Sequence, residues 1–316
     1  NDGSDDVAIA IETNKVDQFR SDISYLLNDP RFILFLRNIN SIEVNGVTTP
    51  KTIVKYQKGN IISLKANDFD LSDWLTYEDI EVVINPEVKD AIKDDKTVPP
   101  KLKDVSSTKF NFVCQIIDDK IIPLEPESSF LFSYLPTNVN DYKFPFLVNA
   151  DFLTTANRQS IHSKNKWNLF LFEQIGYYCI KWISEIITRN EYLNSAYNLL
   201  PNIDNNINDL PWQSFMIGFN KALDDIEFIL SKDDKLISIF DVIVDKTGFS
   251  SFVSEEIFKE LIEVDGYLIS EKIYDSKPLR NLINDRNKKS IISFERLSAS
   301  LVNEEFVRWL KVPSNK

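Results

Sequence analysis

Apolar positions along this chain follow a period of two in its first half and a period near 3.6 in its second. Residues 7–11 predict a short strand, after which Val16, Phe19, Ile23, Leu26 and Leu27 recur at helical spacing. Asp29-Pro30 joins a capping side chain to a proline suited to the first helical position, and predicts a second helix through Phe32, Ile33, Phe35, Leu36 and Ile39. An antiparallel meander follows: strands at 41–44, 52–56 and 61–65, separated by turn signals at Asn45-Gly46 and Lys58-Gly59-Asn60. Trp74, Tyr77 and residues 80–84 carry this layer onward, and 93–107, rich in charge and with Pro99-Pro100, predicts a loop. Strands resume at 110–117, turn at Asp118-Asp119, and continue at 121–124, 130–135 and 144–155.

From Trp167 the period changes. Trp167, Phe170, Leu171, Ile175, Tyr178, Trp182 and Ile186 fall on one helical face over about six turns, and this aromatic stripe reads as core. Further helices are predicted at 192–200, from Pro211 through Leu230, after a Ser254 cap and at 303–310, with one strand at 236–244 among them. The expected fold class is therefore α+β: a mixed sheet with helices across one face in residues 1–164, then a mainly helical domain in 165–316.

Composition narrows the chemistry more than it identifies it. Forty-eight acidic and 36 basic side chains give a net charge of −12, which repels phosphate backbones and anionic lipid, so no nucleic-acid and no membrane partner is expected. The seven glycines form neither a dinucleotide fingerprint nor a phosphate loop. Cys114, Cys179 and His162 lack metal-ligand spacing, and the acidic pairs Asp224-Asp225 and Asp233-Asp234 lack the alternating ligands of a calcium loop. No metal is expected. Both cysteines lie in apolar stretches and read as buried, reduced thiols of a cytoplasmic protein. No signal peptide or membrane span is expected either. The only methionine is Met216, and the chain reads as a piece of a longer polypeptide.

The most informative residues are Phe130-Leu131-Phe132-Ser133-Tyr134-Leu135-Pro136, then Phe144-Pro145-Phe146-Leu147-Val148-Asn149-Ala150-Asp151-Phe152, Asn157-Arg158 and Trp167-Asn168. Their order, a strand ending in Leu-Pro, an apolar strand ending in Asn-x-x-Phe, an Arg, then Trp-Asn opening a helix, resembles the region after the nucleotide pocket in sacsin-type members of the GHKL ATPase superfamily. Phe32 to Ile39 with Ile42-Glu43 is similar to the Leu-Phe-Leu-Arg and Ile-Glu element of the same proteins.

The resemblance implies a middle or transducer region. Such a region couples the ATP state of an N-terminal domain of the same polypeptide to protein clients or partners, as the resemblance to the ninety-kilodalton heat-shock chaperone implies. By that likeness Arg158 is the γ-phosphate sensor acting in trans, and Asn149, Asn157 and Gln159 are the accompanying candidates for the nucleotide side. Gln159 stands where the chaperone has Glu. Guanidinium suits the role, being permanently charged and forked to match phosphate oxygens. Mg-ATP itself belongs to the N-terminal domain, so this chain alone is expected to bind no cofactor and to be no enzyme. Two alternatives remain open: a structural interaction module in which Arg158 pairs with an acid at a sheet edge, and a hydrolase with converging carboxylates.

Overall fold

The structure, a computed structural model, describes residues 14–45, 51–67, 69–203 and 207–302, together with Arg308 and Lys311. The strand expected at 7–11, Gly46 of the first turn signal and nearly all of the helix expected at 303–310 lie outside these residues.

Helix α1 (Val16–Asn28) leads into one 3₁₀ turn at Pro30–Ile33. Asp29 caps that turn, accepting the Arg31 amide at 3.2 Å and its guanidinium at 2.5 and 2.7 Å. The helix expected through Ile39 goes no further. Phe32, Ile33, Leu34 and Phe35 are all buried, and four consecutive buried side chains do not fit the single stripe of a surface helix. Lys55 fixes the exit, its Nζ donating to the Leu36 carbonyl at 2.5 Å. Burial pulls this ammonium below the usual lysine range, with Glu78 acting in the opposite direction.

Strands β1 (Ser41–Val44), β2 (Lys51–Lys58), β3 (Ile61–Ala66) and β4 (Phe69–Val83) form the meander. Helices α2 (Pro86–Lys93) and α3 (Pro100–Lys103) follow, the latter a single turn inside the expected loop. Next come β5 (Ser107–Ile117), β6 (Lys120–Ile122), β7 (Leu131–Ser133), β8 (Leu135–Pro136) and β9 (Leu147–Asn149). Among the described residues these nine strands make one sheet, ordered β1-β2-β3-β4-β5-β9-β7-β8 with β6 on β5. All its pairings are antiparallel except β7 with β9. The turns expected at Gly59 and Asp118-Asp119 are present, with φ of 61°, 50° and 56°. The strand expected at 130–135 instead reverses at Tyr134, φ 64°, into two short strands, and 144–155 contributes only β9 to the sheet.

Side chains alternate across this sheet, and both faces are covered. Leu75, Phe110, Phe112, Cys114 and Val148 face one cluster, while Ile53, Ile62, Trp74, Val113 and Leu147 face another closed by Phe32 to Phe35. The first cluster is roofed by α4 (Lys166–Thr188), the 23-residue helix that the aromatic stripe predicts. Tyr77 ties β4 to it, donating to Glu185 at 2.5 Å. Burial pushes both thiols, Cys114 and Cys179, above their usual range.

Helix α5 (Leu210–Asp225) packs along α4, and its Trp212 and Phe215 also meet Phe144. The two backbones meet at glycines: a Cβ on Gly176 would lie 2.1 Å from the Phe215 carbonyl oxygen, and one on Gly218 1.8 Å from that of Glu173. The helix expected at 192–200 is one 3₁₀ turn, Ala196–Leu199. Beyond α5 a hairpin of β10 (Ile229–Leu230) and β11 (Leu236–Ile237) precedes a small parallel sheet. Its order is β13-β12-β14, from β12 (Val242–Asp245), β13 (Tyr267–Leu268) and β14 (Ile291–Ile292). Helices α6 (Glu255–Ile262) and α8 (Phe294–Leu301) pack on the Ile243 side of this sheet. Helix α7 (Lys277–Arg286) joins the main core on the Val242 and Val244 side. The Ser254 cap is present, accepting the Ile257 amide at 3.4 Å.

At the carboxyl end of β12, Asp245 accepts Thr247 Oγ1 at 2.6 Å and the amides of Thr247 and Ser250 at 2.8 Å each. Burial alone would raise this carboxyl, but these hydrogen bonds hold it below the ordinary Asp value. A depressed folded pKa stabilises the protein above the unfolded value and loses that contribution as pH falls through the folded one. Asp245→Asn should therefore cost about 1 kcal/mol at pH 7. In urea unfolding followed against pH, that difference should fade below about pH 4, where unfolded Asp protonates. Gly176→Ala should cost more, about 1–3 kcal/mol, because backbone rather than a pliable side chain must yield. Gly59→Ala, with open space around it, should cost only the left-handed penalty of about 1 kcal/mol.

Candidate functional site

Residues 154–161 form a tight loop between β9 and α4. Thr154 and Ile161 pair as an antiparallel bridge, Thr155 N–H donates to Ser160 at 2.9 Å, and Arg158 N–H donates to Thr155 at 2.8 Å. Arg158 occupies the left-handed region, φ 57°, a conformation that disfavours side chains with a Cβ. Its Nη2 donates to the carbonyls of Ser133 at 2.7 Å and Leu135 at 3.0 Å, while its own carbonyl accepts Asn138 N–H at 3.0 Å. The Arg158 Nε is buried and has no hydrogen-bond partner. No acidic side chain forms an ion pair with Arg158 among the described residues.

The partner of Arg158 is thus the β7–β8 reversal at Tyr134. Asn149, buried at the end of β9, holds the same turn from the sheet side by accepting Tyr134 N–H at 2.7 Å. Burial and the neighbouring Asp151 carboxylate push the Tyr134 hydroxyl above its usual value, with Arg37 opposing. Of the sequence candidates, Arg158 and Asn149 therefore meet on one turn. Asn157 and Gln159 do not join them. Asn157 Oδ1 accepts Thr155 Oγ1 at 2.9 Å and Gln159 N–H at 3.2 Å, and its Nδ2 donates to Gln159 Oε1 at 2.8 Å. Both side chains are exposed and occupied with their own loop.

The feet of the loop are held by the start of α4. Asn165 caps that helix, accepting Trp167 N–H at 2.8 Å and donating to Asp95 at 2.8 Å and Thr97 at 3.0 Å. Trp167 Nε1 donates to the Asp151 carbonyl at 2.8 Å. Asn168, fully buried, accepts Leu153 N–H and donates to the Leu153 carbonyl, both at 2.9 Å, and donates to the His162 carbonyl at 3.2 Å. One amide side chain thereby clamps both ends of the Arg158 loop to the helix. The Trp-Asn pair signals this at sequence level. The Tyr134 turn has no such signal, because tyrosine is not a residue that left-handed turns select.

Among the described residues no group of three or more His, Cys, Asp or Glu side chains is placed to hold a metal ion. Nor is any described helix long and apolar enough to cross a membrane. Asp234 pairs with Lys272 at 2.7 Å and Glu255 with Lys259 at 2.6 Å. No family model matches the chain, and no curated protein and no solved structure matches it either.

Removing the clamp should be costly and removing the loop's outer amides should not. Asn168→Ala leaves the buried Leu153 N–H without an acceptor, while the Leu153 and His162 carbonyls keep the His162 and Asn165 amides as donors, an expected loss of about 1–3 kcal/mol. Asn157→Ala and Gln159→Ala should stay within about 0.5 kcal/mol of wild type. Urea denaturation of the three variants checks both.

Proposed function

We propose that this chain is a non-catalytic transducer region of a sacsin-type GHKL ATPase, coupling the ATP state of an N-terminal domain to the binding of protein partners. The observation that carries the reading is the state of Arg158: a guanidinium with neutral carbonyl partners, a buried unpaired Nε and a left-handed backbone. A permanent cation with no counter-charge beside it among the described residues gains more from an anionic oxygen than from a carbonyl. A backbone held in a sparsely populated region releases strain if it moves. Arg158 therefore has two arrangements of different chemistry, hairpin-bound and phosphate-bound, which is what coupling through an equilibrium requires.

Transfer of Arg158 to a γ-phosphate would free the Ser133 and Leu135 carbonyls and loosen the Tyr134 turn. A nucleotide signal would reach the sheet in that way. The two hydrogen bonds to the hairpin also favour a second reading, a purely structural clamp in an interaction module without ATP coupling.

The readings separate in the full-length polypeptide carrying this region. Under the transducer reading Arg158→Ala slows ATP hydrolysis at least about tenfold with nucleotide affinity nearly unchanged, the pattern of an interaction made in the transition state. Unchanged hydrolysis, with a loss of stability only, supports the clamp. Calorimetry of this chain alone with Mg-ATP should give no binding, and tight binding would contradict both.

A further inference from the structure

Helix α7 carries two charges at the ends where its own dipole disfavours them. Lys277 is its first residue, at the positive end, and Asp285 stands in its last turn, at the negative end. Both line one cleft of about 470 Å³ between α7, α5 and the segment after Leu199, a volume within the range of ligand sites. The floor is apolar, with Phe219 and Leu282 buried beneath it and Ile203 at its side. Asn281 sits midway along α7 on the same wall. Among the described residues Lys277 and Asn281 have no side-chain partner. Asp285 pairs with the adjacent Arg286 at 3.0 Å while its side chain stays 63% exposed.

Charges set against a helix dipole weaken the fold slightly. Here both face one cleft: the positive helix end joins Lys277 in attracting an anion, and Asp285, exposed and paired with the last-turn Arg286 through Oδ2 alone, has Oδ1 to offer a cation. Eight residues of helix separate the two by about 12 Å. An extended peptide covers that distance in three to four residues, at about 3.3 Å each. Asn281 presents a donor and an acceptor, the pair that reads a peptide amide. A free amino acid carries both its charges on one carbon and does not span the cleft, and Asp285 repels a nucleotide's phosphates.

We propose that this cleft docks an extended segment of a partner protein in which an acidic and a basic residue, three or four positions apart, flank apolar side chains. The acid meets Lys277, the base meets Asp285, the intervening backbone pairs with Asn281, and the apolar side chains cover Phe219 and Leu282. This rests on the partner-binding half of the proposed function and not on ATP coupling.

The test is selection of a random peptide display library on the purified chain, in parallel on Lys277→Glu and Asp285→Lys, with no nucleotide present. Wild type should enrich peptides with one acid and one base at that spacing. Lys277→Glu should enrich peptides with two bases, and Asp285→Lys peptides with two acids. A synthetic peptide from the wild-type selection should bind Lys277→Glu about five- to tenfold more weakly by fluorescence polarisation. Thermal melts should show that variant folded, with Tm equal to wild type or up to about 2 °C higher as the dipole conflict is relieved. No enrichment on wild type, or the same enriched sequences on all three proteins, overturns the proposal. Because the selection contains no nucleotide, its failure leaves the Arg158 reading standing, and unchanged ATP hydrolysis in Arg158→Ala leaves the cleft standing.

Discussion

Helix α4 is the constraint on which the remaining structure depends. Trp182 packs it on Tyr77 and Phe112 of the sheet, Cys179 meets the Leu199 carbonyl, and α5 approaches so closely that only glycine fits at positions 176 and 218. Interiors packed at this density transmit displacement instead of absorbing it. The same helix supplies, at its first turns, the Asn165 cap and the Asn168 clamp that fix the Arg158 loop. Core and candidate site are therefore two ends of one rigid element.

That geometry gives the Arg158 loop an unequal attachment. Its feet are secured by buried hydrogen bonds from Asn168, which are expensive to break. Its tip is secured by one nitrogen of a partly exposed guanidinium on two carbonyls and by the Asn138 N–H on the Arg158 carbonyl, against a backbone conformation that costs energy to hold. A loop held more firmly at its base than at its tip can release the tip without unfolding. The Tyr134 turn beneath the tip shares this character, since Asn149 holds it from the sheet and Arg158 from the loop. The α7 cleft follows a similar principle in another place: Lys277 and Asp285 oppose the helix dipole, a local sacrifice of the sort that functional positions make against the rules of folding.

Much of this was legible in sequence where a period or a cap carried the information. The α4 stripe, the Gly59 and Asp118-Asp119 turns, the Asp29 and Ser254 caps and the α+β class all follow from spacing and side-chain chemistry. The failures have physical causes. Phe32 to Phe35 look helical by composition, yet all four are buried against the sheet, so tertiary packing overrides propensity. Residues 130–135 look like one strand, but Tyr134 takes a left-handed turn because Asn149 and Arg158, distant in sequence, supply its partners. The one strand expected at 236–244 is two, β11 and β12, and β13 and β14 are two residues long each, too short for any period to register. At the site, Arg158 and Asn149 share a turn, whereas Asn157 and Gln159 bond each other.

Hydrogen exchange on Arg158→Ala, compared with wild type, tests the central claim that the loop tip is a separately releasable contact on a fixed base. Faster exchange confined to the amides of Tyr134, Asn138 and Arg158's own loop tip, with Leu153 and His162 still protected, is the expected result. Exchange that spreads through Leu153 and into the first turn of α4 would contradict it, because tip and base would then open as one unit.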